Sequence, residues 1–598
     1  VSETAYRGHL LSGLAAVPYS VGDGAAAVRM ARRAGTVAVD IETAGLGVDA
    51  WDVHAVQLAT PHEAHVLDAA TDRQAIVDAL AGAHRLLVHN STFDVPILHG
   101  LGYLDLGAVA KVYDTLVAAR LAAPSERGGH DLATAFATHC PDRSVGDKRS
   151  LAERWRETTG RSKAEMFRSL GTGSEAFCQY AARDAVMTAI LAEVLPAAHR
   201  RHVSDHPFRR SGDAEYLMER EQTINRMLLA RTCRGIGIDF DVVDDLEREL
   251  QRDAWAADAV LTSYGVDVEL SPPKVKEATM DVLDELGRIP ATYPRLLNGR
   301  PTADARHLRY LEHPAIEQLE VRSKALRFIT DYAHKLTHLA RDGRIHPQVA
   351  VAQAVTGRMS MKEPPLQQYP PRVRRMMRFD TAATSLDWAS IEPVLFANLA
   401  GETVLLDEFE AGGDVYLPIA TAAGVTRKTA KVILLAQLYG QGRRQLAWQL
   451  GIGEDEAGDL VRRVMGQFTA LATATSAIRR VGDAYGKAQT LSGRICPIDP
   501  DFRTGNRTFL GYKAVNYVVQ GGAYDLLAEA LFAMHRHGLD DAVYVAVHDE
   551  LVVAADAADE VEAIMRSAPA ALVEAAGRVP LLRVERTELG DHWVEKEG

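Results

Sequence analysis

At 598 residues the chain is too long for one hydrophobic core and divides into roughly three or four domain-sized units. Hydrophobic residues at 47% and charged residues at 25% exclude a disordered or fibrous chain. No apolar run approaches the ~20 residues of a membrane span, and the start VSETAYRGHLLSG lacks the pattern of a secretory leader, so a cytoplasmic protein with no membrane partner is expected.

The first segment with chemistry is TVAVDIET (36–43), an alternating strand ending in Asp40 and Glu42. The two carboxylates share a face because strand side chains repeat every second residue. Further strands are predicted near 54–59, 64–67 and 86–89, followed by helical stretches, which makes residues 1–205 an α/β unit. RLLVHNSTFD closes the last of these strands and supplies Asn90 and Asp94. AFCQYAARDAVMTAI (176–190) has helical periodicity and puts Tyr180 and Asp184 four apart on one face. A lone DxE pair reads as a solvated strand end, but four carboxylates from separate elements with a tyrosine beside one describe a two-metal hydrolytic site.

HPFRRSGDAE (206–215) is polar and irregular and marks a boundary. After it, EYLMEREQTINRMLLARTCRGIGID reads as a long amphipathic helix closed by Gly235 and Gly237. The chain stays helix-rich to about 345, and LEVRSKALRFITDYAHKLTHLA (319–340) is its longest pattern. TGRMS, with Arg358, and PPLQQYPP, with Gln368, come next. TSLDWASIE (384–392) and VYVAVHDELVV (543–553) each read as a strand bringing a carboxylate, Asp387 or Asp549, to one edge of a buried sheet. Two such carboxylates repel each other unless a divalent cation neutralises them, and hard Mg²⁺ suits carboxylates plus substrate phosphates.

Between these strands, TRKTAKVILLAQLYGQG (426–442) reads as a helix with Arg427, Lys431, Leu435 and Tyr439 in one stripe. The cations suit a triphosphate, and the apolar and aromatic groups suit a base. The net charge of −13 runs against a polyanion ligand. Basic clusters at PRVRRMMR (371–378), Arg427/Lys428/Lys431 and Arg443/Arg444 therefore lead us to expect a positive cleft on an acidic body. The four cysteines, Cys140, Cys178, Cys233 and Cys496, have no CxxC spacing and argue against a zinc site or a disulfide framework.

The order carboxylate strand, Arg/Lys/Tyr helix, His-Asp-Glu strand resembles motifs A, B and C of the family A DNA polymerases, the bacterial polymerase-I type. TGRMS and PPLQQYPP resemble that family's TGRLS and PNLQNIP elements. The N-terminal segments resemble the three motifs of DnaQ-like 3′→5′ exonucleases. The resemblance runs from Asp40 to the ending VPLLRVERTELGDHWVE. It implies a multidomain α/β protein: an RNase H-like exonuclease domain (1–205) followed by a right-hand polymerase. The latter comprises the start of the polymerase domain and thumb (206–345), palm with motif A (346–392), fingers with motif B (393–515) and palm with motif C (516–598).

By the same resemblance, Asp387 and Asp549 hold Mg²⁺, with Mn²⁺ an alternative, and Glu550 supports them. Arg427 and Lys431 take the triphosphate, Lys431 also being a candidate acid for leaving pyrophosphate. His548 approaches the primer terminus, and Glu392 with Tyr439 closes the sugar pocket against a 2′-hydroxyl. Leu435 sits at the sugar 3′ edge, and Arg358 reaches into the minor groove at the primer end. Gln368, Asn516 and Gln520 match duplex or template contacts. At the exonuclease centre Asp40, Glu42, Asp94 and Asp184 bind metal, and Tyr180 orients water. Implied partners are primer-template DNA, dNTPs, single-stranded 3′ ends and replisome proteins or a processivity factor.

Three departures from the family pattern stand out. DWASIEPV has Pro393 and Val394 where the family has Leu and Arg, Leu435 replaces Phe or Tyr, and Tyr512 replaces a common Arg. The sequence begins about 35 residues before the exonuclease strand, so no 5′ nuclease is expected, a layout that resembles bacteriophage replicative polymerases. The rival readings are a repair polymerase, an exonuclease whose C-terminal half only binds DNA, and a single-subunit RNA polymerase. Glu392 and the exonuclease motifs argue against the last.

Overall fold

The computed structural model describes residues 6–9 and 17–594, except 126–127, 143–154, 158, 163–164, 167–168, 209–211, 309–310 and 503–507. Part of the boundary segment 206–215 thus lies outside the described residues. The strand Thr36–Thr43 forms where Val37, Ala38 and Val39 are fully buried, and it sits inside a mixed sheet. Its antiparallel neighbour is Val53–Ala59 and its parallel neighbour is Arg85–Val88. The order across the sheet is Tyr6–His9, Pro18–Val21, Ala64–Asp68, Val53–Ala59, Thr36–Thr43, Arg85–Val88, Val112–Asp114. The four predicted strands are present within a residue or two. Tyr6–His9, Pro18–Val21 and Val112–Asp114 were not predicted, because runs of three or four residues carry almost no alternation signal.

The long helix Glu175–Ser204 is capped by Ser174, whose hydroxyl accepts from the Phe177 amide. Ala181, Ala182 and Ala185 on the helix meet Ala38, Ala55 and Ala59 on the sheet in one core. Methyl-sized side chains on both surfaces let helix and strand approach closely, and that approach brings Tyr180 and Asp184 up to Asp40 and Glu42.

The helix Ala214–Arg234 follows, capped by Asp213 and stopped at Gly235, whose φ is 70°. A Cβ on Gly235 would fall 2.7 Å from the Ile345 carbonyl, so only glycine fits there. Gly237 does not help close the helix as expected. It lies in the strand Ile236–Ile238, paired with Arg378 and Arg344. This short strand belongs to the second sheet, ordered Val543–Val547, Glu550–Ala554, Met377–Trp388, Ile236–Ile238, Arg344–Ile345. Val584–His592 flanks Met377–Trp388 on its other side. The apolar faces of these strands, with Leu386, Val545, Leu551, Val552 and Trp593, form the principal core.

Two other expectations needed correction, and a third is borne out with a π-helical turn inside it. The segment 543–553 is not one strand but a hairpin, turning at His548 and Asp549, with His548 at φ 56°. The strand of TSLDWASIE stops at Trp388; Ser390 adopts φ 52°, and Glu392 lies in the first turn of the helix Ile391–Ala400. The 319–340 pattern is an α-helix, Pro314–Phe328, continued by a π-helical turn, Ile329–His334, and a short α-helix, Lys335–Leu339.

That helix packs on Phe240–Ser263, with Arg322 and Asp258 ion-paired between them. Much of the PRVRRMMR cluster is likewise committed internally: Arg372 and Arg375 each pair with Glu249, at 2.7 and 2.9 Å. A further core joins Ile391–Ala400, Arg427–Leu438 and Tyr512–Arg536 through Val394, Phe396, Ile433, Leu434, Val515 and Val519.

Candidate active sites

Asp387 is the next-to-last residue of its strand. It sits opposite Glu550 on one neighbouring strand and Glu585 on the other, so the three carboxylates share a face of the sheet. The hairpin turn adds Asp549, whose carbonyl accepts from the Trp388 amide at 3.4 Å. Burial, then the Asp549, Glu550 and Glu585 charges, push the Asp387 carboxyl up to about 7. Its Oδ1 is buried without a hydrogen-bond partner. Asp549 is also raised, by burial first, while burial lowers His548. The Ser385 hydroxyl donates to the Glu550 carboxylate at 2.6 Å, and Arg374 lies 3.5 Å from it.

Opposite these groups, across a cleft of about 440 Å³, stands the helix Arg427–Leu438. Thr426 caps it by accepting from the Thr429 amide, and the helical spacing turns Arg427, Lys431, Leu435 and the C-capping Tyr439 toward the cleft. Arg427 is ion-paired with Asp414 and lies 5.3 Å from the Tyr416 ring centroid, with the Lys431 ammonium at 5.7 Å. Glu392, only 8% exposed, accepts from both the Arg358 guanidinium and the Tyr439 hydroxyl.

The cleft thus collects Arg358, Asp387, Glu392, Arg427, Lys431, Leu435, Tyr439, His548 and Asp549. Glu550 lies behind it. Gln368, exposed on the one-turn helix Leu366–Gln368, is not among the lining residues. Neither are Asn516 and Gln520, half-buried and four apart on Tyr512–Arg536, although Asn516 Oδ1 is buried without a partner. Of the divergent positions, Pro393 lines the cleft, Val394 is in the core behind it, and the Tyr512 carbonyl and ring pack so closely against Gly440 that a side chain there would clash.

Sequence reasoning missed Tyr416, Ser390 and Glu585, which also line the cleft. Tyr416 precedes the Leu-Pro that starts a helix and belongs to no motif; Glu585 is one of several acids near the C-terminus, and only strand register picks it out. A larger cleft, of about 890 Å³ around Trp255, carries no comparable convergence, since its Glu249–Arg375 and Asp239–His592 groups are paired with each other.

The second centre lies on the first sheet. Burial, then the charges of Asp94, Glu42 and Asp184, raise Asp40 well above the ordinary carboxylate range. Asp94, in the first turn of the helix Ser91–Gly100, is pushed up to about 8 by burial and then by Asp114. Asp184 is raised to about 6 by burial, against the pull of Arg183, whose Nε is 3.5 Å away. The Tyr180 hydroxyl is raised by the Asp184 charge first and by burial next. The four predicted carboxylates and the tyrosine therefore share one field. Asp114 was missed: a strand-ending Asp before Thr-Leu reads as an ordinary helix cap.

Among the described residues, no three His, Cys, Asp or Glu side chains are posed to hold a metal ion. The donor chemistry nevertheless fits divalent cations at both centres. Mutually repelling carboxylates, with buried Asp387 Oδ1 lacking a hydrogen-bond partner, gain most from positive charge. A hard cation also completes its shell with water and phosphate oxygens rather than protein alone.

A carboxylate pair facing a cationic helix, together with a separate acidic centre on another sheet, is an arrangement suited to metal-assisted phosphoryl transfer. Residues 246–595 match the family model for DNA polymerase family A, and residues 23–197 match that for a 3′-5′ exonuclease. The chain belongs to DNA polymerase family A, as a DNA-directed DNA polymerase carrying a 3′→5′ exonuclease domain.

It is 25% identical over 549 residues to a DNA polymerase of Mycobacterium phage L5, covering 88% of this chain and 87% of that protein. Over 384 residues it is 28% identical to DNA polymerase I of Mycobacterium tuberculosis, covering 58% of this chain and 42% of that one. The POL domain of Pol1 from M. smegmatis, solved in complex with DNA primer-template and dNTP, superposes with a TM-score of 0.67 at 23% identity. That match covers 93% of this chain and 95% of the other and speaks to the fold. Among the described residues, no helix is long and apolar enough to cross a membrane.

Proposed function

We propose that the chain adds dNTPs to a primer 3′ end during phage DNA replication in the bacterial cytoplasm and trims mispaired ends at its N-terminal centre. The observation that carries this reading is the Asp387/Asp549 pair facing Arg427 and Lys431 across one cleft. In synthesis the primer 3′-hydroxyl gives up its proton to solvent and attacks the α-phosphate of a dNTP, and the bond from that phosphorus to pyrophosphate breaks. Mg²⁺ held by Asp387 and Asp549 would supply Lewis-acid stabilisation of the charge on the phosphoryl oxygens.

Arg427 exchanges Asp414 for the triphosphate, and Lys431 delivers a proton to the leaving pyrophosphate. Glu392 and Tyr439 close the space beside the sugar C2′, favouring deoxynucleotides. Arg358 and His548 serve the primer terminus; Gln368, Asn516 and Gln520 serve the duplex and template. Asp40, Glu42, Asp94 and Asp184 form the hydrolytic centre, with Tyr180 orienting the attacking water. We assign the exonuclease domain to 1–205, the start of the polymerase domain and the thumb to 206–345, the fingers to 393–515, and the palm to 346–392 and 516–598. Primer extension on a template with dNTPs, and separately with rNTPs, tests the reading. Template-directed dNTP addition supports it, while degradation without extension would reduce the C-terminal half to a DNA-binding module.

A further inference from the structure

The helix Ser91–Gly100, which carries Asp94 in its first turn, has its N-terminus fixed by a single carboxylate. Asp114 accepts from the Asn90 amide at 3.2 Å, the Ser91 amide at 2.8 Å and the Ser91 hydroxyl at 2.7 Å. The same carboxylate caps the next helix through the Leu116 amide at 2.7 Å. Asp114 in turn is held from the other half of the chain. On the helix Ala214–Arg234, Gln222 Oε1 accepts from the Asp114 amide at 2.9 Å, and its Nε2 donates to the Asp114 carbonyl at 2.8 Å. One turn further on, Asn225 Nδ2 donates to the Ser91 hydroxyl at 3.1 Å.

Gln222 and Asn225 are buried with Asp114 and Ser91. Buried amides cost stability unless they are paired, and these two are paired with the exonuclease strand and helix. The pairing orients the hydroxyl: Ser91 accepts from Asn225, so its proton points at Asp114. The chain of contacts therefore runs from the helix Ala214–Arg234 through Asp114 to the turn that aims Asp94.

We propose that Gln222 and Asn225 are positioning residues for the exonuclease centre, so that the helix leading into the polymerase half completes the hydrolytic site. This rests on the reading that Asp94 belongs to that centre. Groups behind metal-binding side chains change affinity or activity by about 10–100-fold when removed, which sets the expected scale.

The test uses the full chain with Gln222→Ala and, as a milder change that breaks only the Ser91 bond, Asn225→Ala. Degradation of a 3′ end-labelled single strand is followed against Mg²⁺ concentration. Backbone hydrogen exchange across 88–98 and primer extension are measured in parallel. The expected result is a Mg²⁺ midpoint raised by about tenfold for Gln222→Ala and less for Asn225→Ala. Faster exchange confined to 88–98, unchanged extension, and degradation restored at high Mg²⁺ should accompany it. An unchanged midpoint and exchange pattern in both variants, or a parallel loss of both activities, overturns the proposal. Asp94→Ala separates the two claims: if it degrades normally, the assignment of the centre has failed rather than the role of Gln222 and Asn225.

Discussion

Glu392 is the residue whose removal the cleft geometry makes most informative. Its carboxylate accepts from both Arg358 and Tyr439 and is almost wholly buried. In Glu392→Ala the Tyr439 hydroxyl loses its acceptor, the Arg358 guanidinium loses its counter-charge, and a space opens between them. Hydrogen bonds to charged groups are worth about 1.5–3 kcal/mol each. If the equivalent of one such bond is what excludes a 2′-hydroxyl, discrimination against ribonucleotides falls by about 10–100-fold, since 1.4 kcal/mol is roughly a factor of ten. Single-nucleotide incorporation of rNTP against dNTP, in an exonuclease-inactive background, measures it through the ratio of kcat/KM values. Synthesis with dNTPs should also slow, because freed Arg358 and Tyr439 no longer hold their positions. An rNTP/dNTP ratio equal to that of the unmodified enzyme would refute the reasoning and remove Glu392 from the sugar gate.

Leu435 lines the cleft with neither a ring nor a hydroxyl to offer a sugar lacking its 3′-OH. Leu435→Tyr should therefore raise dideoxynucleotide use relative to dNTP by about tenfold or more, and equal selectivity would mean that Leu435 does not face the sugar. Arg427 is ion-paired with Asp414, and a triphosphate taken by Arg427 competes with that carboxylate, so Asp414→Asn should lower the KM for dNTP by roughly two- to fivefold, the range of an exposed pair; a raised KM would show that Asp414 orients Arg427 rather than competing for it. His592 is flanked by Asp239 at 3.0 Å and Asp591 at 2.9 Å, and these bonds raise its pKa against the pull of burial. A raised folded-state pKa adds stability that is complete below the unfolded value and is lost as pH rises through the folded one. The melting temperature should fall across that window, and His592→Gln should flatten the slope; an identical pH profile in the variant would count against the contribution.

The chemistry was legible in the sequence wherever one element carried both the pattern and the reactive group. TVAVDIET declares its strand by alternation and its carboxylates by period. The stripe from Arg427 to Tyr439 needs only helical spacing to face one way. What remained hidden depends on neighbours distant in the chain. Glu585 matters because register sets it opposite Asp387, and no local pattern fixes register. Asp114 meets the second centre because its strand pairs with Arg85–Val88 and its carboxylate holds the turn before Asp94. The His548–Asp549 turn was read as strand because both flanks are strongly apolar and β-branched, and nothing such as Asn-Gly marks the reversal. At PRVRRMMR the pairing of two arginines with Glu249 on a separate helix is likewise invisible to any local pattern.

The central claim is that synthesis and hydrolysis belong to separate acidic centres, one at Asp387/Asp549 and one at Asp40/Glu42. It is tested most directly by assaying extension and 3′→5′ degradation side by side for Asp549→Ala and for the double variant Asp40→Ala with Glu42→Ala. The account predicts that Asp549→Ala loses extension and keeps degradation of single strands, while the double variant loses degradation and keeps extension. Loss of both activities in either folded variant, or Mg²⁺-dependent trimming that persists in the double variant, would contradict it.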